Sequence, residues 1–130
     1  NGCTKEINYS IGFVDLSTGH KERNLESLIK TFDEWSSIRN ERHCLVELDD
    51  KYDQQFFKKN SLIIYAFSRA TDGGTTQIVK ISKKGNELTV YVDFVLGHMD
   101  VISYGIIIIE VIKSDLSNAK KVKVLEKLKI

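Results

Sequence analysis

The stretch SLIIYAFSR (61–69), TDGGTTQ (71–77), IVKISKKGNELTVYVDFVL (78–96), GHMD (97–100) and VISYGIIIIEVIK (101–113) decides the fold class. It is denser in apolar and β-branched residues than any other part of the chain, and it reads as four strands joined by two tight turns and one longer loop. Leu62 to Phe67 is apolar on both faces, which predicts a central strand covered from both sides. Asp72-Gly73-Gly74 supplies residues that accept positive φ and predicts a reversal that pairs this strand with Gln77 to Lys83. Lys83-Lys84-Gly85-Asn86 is the better defined turn. After it, Leu88, Val90, Val92 and Phe94 alternate with Thr89, Tyr91 and Asp93, so one face is expected to be buried and the other mostly wet. Gly97-His98-Met99-Asp100 breaks the pattern. Ile102 to Ile112 returns as a long strand in which Gly105 marks a bulge or a close-packing point.

Outward from this core, Asn24 to Ile38 reads as the main helix, because Leu25, Leu28, Ile29, Phe32 and Trp35 form one apolar stripe at helical spacing. Asn24 would cap it, Glu22 and Glu26 suit the positive end of its dipole, and the stripe would pack on the sheet. Within an N-terminal arm over residues 1–20, INYSIGFV (7–14) predicts a first strand weakened by Gly12. CLVEL (44–48) predicts a short strand. KYDQQFFKK (51–59) predicts a helical turn, capped by Asp50, that delivers Phe56 and Phe57 to the core. Residues 113–120 form a loop, and alternation from Lys121 to Val124 predicts a last, lysine-protected edge strand over 121–129. The sum is an α+β fold: a mostly antiparallel β-sheet, sandwich or open barrel, of about six or seven strands, packed with one main N-terminal helix. A chain of 130 residues suits one domain, 1–130, with its β-core over 52–113.

With 19 basic and 18 acidic residues the formal charge is only +1, which offers no strong attraction to nucleic acid or an anionic membrane. No stretch approaches the ~20 consecutive apolar residues of a membrane-spanning helix. The chain opens at Asn1, so the expectation is a mature or trimmed form. Its two cysteines, Cys3 and Cys44, are too few for a disulfide framework or a zinc site. Cys3, preceded by the small residue Gly2, has the setting of the acylated cysteine of a bacterial lipoprotein; a Cys3–Cys44 disulfide and two free thiols are the alternatives.

No constellation assembles chemistry. His43 and Cys44 are adjacent, so in a strand they point to opposite faces and are badly placed to share a proton. Asp49, Asp50 and Asp53 have the spacing of magnesium-holding acidic motifs, but those need a large helical cavity. His98 and Asp100, with Met99 between them, are too few ligands for a metal, and Gly73-Gly74 lacks the Lys-Ser/Thr and the helix of a phosphate loop. No catalytic residue, metal or cofactor is expected.

The segment from Tyr52 to Val111 resembles the C-terminal domain of the PrcB family of bacterial protease-complex subunits. The matching features are FFKKNSLII (56–64), the Gly-Gly turn TDGGT (71–75), the strand pair QIVKISKKGNELTVYV (77–92), and the late strand IIEVIK (108–113). The family turn places Thr-Gly-Gly before an aromatic, whereas here Asp72 precedes the glycines and Thr75-Thr76 follow. The resemblance implies a small β-rich, non-catalytic domain, exported and often lipid-anchored, associated with an extracellular protease complex. A more distant likeness is to chagasin-type cysteine protease inhibitors, which use Gly-containing loops at one end of a β-sandwich.

The expected function is therefore a non-enzymatic, exported bacterial domain at the cell envelope or outside the cell. It would bind a protein partner, a protease being one candidate, through Asp72, Gly73, Gly74 and Thr75 of one loop and His98 and Met99 of another. Nucleic acid is not an expected partner, and the membrane is one only through a lipid on Cys3. The alternative is a small-molecule module with a pocket between the helix and the sheet near Trp35 and Tyr65.

Overall fold

The computed structural model describes residues 3–16, 24–42, 45, 48 and 50–130. Among these residues, eight strands form two four-stranded sheets. The first sheet holds β1 (Thr4–Ile7), β5 (Thr75–Lys84), β6 (Glu87–Val95) and β8 (Lys121–Leu128), side by side in that order. The second holds β2 (Ser10–Asp15), β7 (Ser103–Ile112), β4 (Asn60–Arg69) and β3 (Leu25–Ile29). All pairings are antiparallel except β6 with β8. The α+β, mostly antiparallel fold read from the sequence is observed; of the sandwich and the open barrel it is sandwich-like, with eight strands among the described residues rather than six or seven.

The second sheet is the middle layer. Ile63, Tyr65, Phe67, Ile107 and Ile109 point into a core shared with Ile81, Leu88, Val90 and Val92 of the first sheet. On its other face Leu62, Ile64, Ala66, Ile106 and Ile108 pack under Trp35, Tyr52 and Phe57. This double cover is why Leu62–Phe67 of β4 and the IIII run of β7 are apolar at every position. Among the described residues the outer face of the first sheet has no such layer, and its strands alternate.

Several sequence expectations need correction. The stripe assigned to one helix over 24–38 is split between a strand and a helix. In β3, Leu25 and Ile29 face the helix layer while Leu28 faces the other sheet. Only Phe32–Glu41 is helical (α1). The cap is Thr31, not Asn24: Thr31 Oγ1 accepts from the Glu34 N–H at 3.1 Å, and the Glu34 carboxylate accepts from the Thr31 N–H at 3.1 Å, a complete capping box. The N-terminal arm holds two strands rather than one, because the chain crosses from the first sheet to the second at Asn8-Tyr9. Gly12 sits where β2 shifts register against β7.

The Asp72-Gly73-Gly74 reversal does not pair β4 with β5; it carries the chain from one sheet to the other. The Lys84–Glu87 hairpin forms as expected, with Gly85 at φ 62. Leu45 and Leu48 lie in 3₁₀ turns rather than a strand, and Cys44 with the rest of that expectation lies outside the described residues. The helical turn that buries Phe57 is Phe56–Lys59 (α2), and the Asp53 carboxylate, not Asp50, accepts from the Phe56 N–H at 2.9 Å. A helical turn, Lys113–Leu116 (α3), opens the segment expected to be loop.

Candidate functional site

The strand ends of both sheets meet at one end of the sandwich: β4 arrives at Arg69, β6 at Val95 and β8 at Leu128, while β5 leaves from Thr75 and β7 from Ser103. The two loops singled out in the sequence connect these strands, and the fold brings them together. Asp72 and Met99 form an isolated antiparallel bridge, with Asp72 N–H donating to the Met99 carbonyl at 3.0 Å and Met99 N–H to the Asp72 carbonyl at 3.4 Å. The Thr71 hydroxyl accepts from the Gly97 N–H at 2.7 Å, and the Ser103 hydroxyl donates to the Thr71 carbonyl at 2.9 Å. Two loops 26 residues apart in sequence therefore behave as one tied ridge.

Gly73 and Gly97 are required on this ridge for different reasons. Gly73 takes φ 84, a left-handed conformation that side chains disfavour, and its N–H donates to the Asp72 carboxylate at 2.8 Å. At Gly97 a Cβ would overlap the Asp72 carbonyl, so the close approach of the two backbones depends on its absence. Thr75 is exposed at the start of β5, and His98 is exposed beside the bridge. A shallow depression runs beneath, lined by Phe67, Arg69, Asp72, Gly74 and Val95.

A polar cluster supports the ridge from below. The Arg69 guanidinium lies 4.4 Å from the ring centre of Phe67 and 4.2 Å from that of Phe94, and it donates to the Glu126 carboxylate at 2.7 Å. Tyr65 donates to the same carboxylate and accepts from Arg69 at 3.1 Å. Burial and the neighbouring Glu126 carboxylate push the Tyr65 phenol well above its usual range, with Arg69 pulling the other way. This cluster pins β4 to β8 and fixes the base from which the Thr71–Thr75 loop springs.

Sequence reasoning missed the apolar character of the second loop. Met99, Val101 and Ile102 are 59 %, 57 % and 59 % exposed, and Leu96, Val95 and Leu16 are also exposed apolar residues at this end. The signal was present, since Val101 and Ile102 follow the polar break directly; both read as the start of the strand, which in fact begins at Ser103.

The remaining candidates lie elsewhere. Cys3 is exposed immediately before β1. His43, Cys44 and Asp49 are outside the described residues. Asp50 and Asp53 are exposed, and among the described residues no group of three or more His, Cys, Asp or Glu side chains is placed to hold a metal. Trp35 and Tyr65, between which a pocket was expected, do not line one cavity. Trp35 is fully buried against Tyr52 in the helix layer, 5.2 Å between ring centres, while Tyr65 faces the opposite side of the sheet.

Compared with known proteins, the chain matches no family model, no curated protein and no solved structure.

Proposed function

We propose that this chain is a non-enzymatic bacterial protein-binding domain, exported to the cell envelope or beyond, that holds its partner on the ridge formed by the Thr71–Thr75 and Leu96–Ile102 loops. The observation that carries the reading is the Asp72–Met99 bridge, which turns two loops into one preorganised surface carrying three large, mostly exposed apolar side chains. A rigid apolar tip ringed by Asp72, His98 and Asp100 has the make-up of a protein interface, an apolar centre with a polar rim. Preorganisation lowers the entropic cost of docking. The resemblance of residues 52–111 to the PrcB C-terminal domain supports an extracellular protease, or a subunit associated with one, as the partner. Cys3, exposed ahead of the first strand, is suited to carry a lipid.

The test is capture of partners from an envelope fraction by the wild-type chain and by M99D/I102D, with recovered proteins identified by mass. The expected result is a discrete partner held by wild type and lost by the variant at unchanged stability. Equal recovery by both would overturn the reading. The intact mass of the natively produced protein settles Cys3: a diacylglyceryl increment is expected, and an unmodified thiol would remove the anchor.

A further inference from the structure

We infer that the outer face of the first sheet is a second docking surface, for an acidic segment of a protein partner. Along the register of β5, β6 and β8, one row holds Lys84, Glu87 and Lys121, the middle row holds Lys80, Tyr91 and Leu125, and Asp93 with Lys127 stands beyond it. Lys80, Lys84, Lys121, Lys123, Lys127 and Lys129 are all exposed on this side. The carboxylates that share it are Glu6, Glu87, Asp93 and Glu126; Glu87 and Asp93 are half-buried and paired with Lys123 at 3.4 Å and Lys129 at 3.7 Å, and Glu126, at the edge of the groove, is paired with Arg69 at 2.7 Å. Six cations against four anions leave this face at +2, so the rest of a chain of net charge +1 carries −1. Among the described residues, Lys84, Lys121 and Lys127 have no carboxylate partner.

The lysines do not stand on a uniformly polar sheet. Between the two lysine-bearing ends lies an open groove of about 410 Å³ lined by Val79, Tyr91 and Leu125, with Lys80 4.8 Å above the Tyr91 ring and Asp93 and Glu126 at its rim. Val79 and Leu125 are each 47 % exposed. A lipid headgroup layer or a duplex backbone would use the charges and leave this apolar floor unfilled, and a single strand could only stack its bases on Tyr91. An acidic protein segment that alternates apolar and carboxylate side chains uses both, setting apolar groups in the groove and carboxylates against the lysines at either end. This surface is distinct from the loop ridge and does not depend on it.

The experiment titrates the labelled 130-residue chain with an alternating Glu-Leu peptide, with a single-stranded oligonucleotide and with phosphatidylglycerol vesicles, at low and at physiological salt. The peptide is expected to bind most tightly and to shift the backbone amide resonances of β6 and β8. K121E/K127E should weaken it about tenfold or more, as should L125D, while K58E/K59E, a reversal of the same size on α2, leaves it unchanged. Tighter binding of the oligonucleotide or vesicles, an equal loss in K58E/K59E, or amide shifts confined to other surfaces would each overturn the proposal. Because none of these variants touches the Asp72–Met99 bridge, failure here and failure of the ridge are separately readable.

Discussion

Gly97 and Asp72 approach so closely that a methyl group on Gly97 would overlap the Asp72 carbonyl oxygen and stand 2.6 Å from the Gly74 nitrogen. Backbone atoms cannot swing aside as a side-chain end can, so G97A must part the two loops. We expect the bridge amides of Asp72 and Met99 to exchange about tenfold faster or more, equivalent to ~1.4 kcal/mol of local opening. Exchange within β4 and β7 should change little. Hydrogen exchange followed residue by residue checks both halves of the statement.

A second close approach lies in the core. Gly105 of β7 faces Phe67 of β4 across paired strands, and a Cβ there would sit 2.5 Å from the ring. G105A should cost ~1–3 kcal/mol through overpacking. Trimming the ring in F67L should relieve part of that cost, so the double mutant will be more stable than the sum of the two single changes implies. Denaturant unfolding of the four proteins measures the coupling.

The alkaline limb of the stability profile should come from two tyrosines. Tyr52 donates to the Glu110 carboxylate at 2.7 Å, and burial together with that carboxylate pushes its phenol far above the usual range; Tyr65 is raised by burial and Glu126. The folded state thus holds both protons more tightly than the unfolded chain. Their contribution is fully present below the unfolded value of about pH 10 and is lost as pH rises above it. Unfolding monitored against pH should steepen there, and phenolate absorbance should show these two rings ionising only as the fold is lost. Y52F should lose ~1 kcal/mol at neutral pH, where Glu110 forfeits a donor, and should flatten the alkaline decline.

The Thr31–Glu34 capping box predicts a third measurable loss. T31A removes the hydroxyl that accepts from the Glu34 N–H, at a cost of ~1 kcal/mol. Trp35, the single tryptophan, lies on the first turn of α1 and is fully buried, so its fluorescence reports the unfolding directly.

The same box shows what the sequence could and could not disclose. Thr31-Phe32-Asp33-Glu34 was a readable helix start, but the apolar spacing of Leu25, Leu28 and Ile29 fits either one helical face or the two faces of a strand. Only the pairing of β3 with β4 resolves it. β4, β6 and β7 were legible because buried β-branched runs and strict alternation leave little choice. The division into two sheets was not. Gly73 takes the positive φ that its turn chemistry promised, yet turn chemistry cannot say whether the returning strand pairs with its predecessor or crosses to another sheet. The loop residues Asp72 and Met99 were legible as interruptions; their hydrogen-bonded union depends on strand ends that meet only in three dimensions.

The ridge itself is tested most directly by measuring the dissociation constant of the captured envelope partner for wild type, M99D/I102D and G97A under one set of conditions. If the tied loops are the binding surface, M99D/I102D should weaken binding by at least ~2 kcal/mol, about thirtyfold, and G97A should weaken it through loss of preorganisation with every contact residue intact. Unchanged affinity in a folded M99D/I102D would contradict the account.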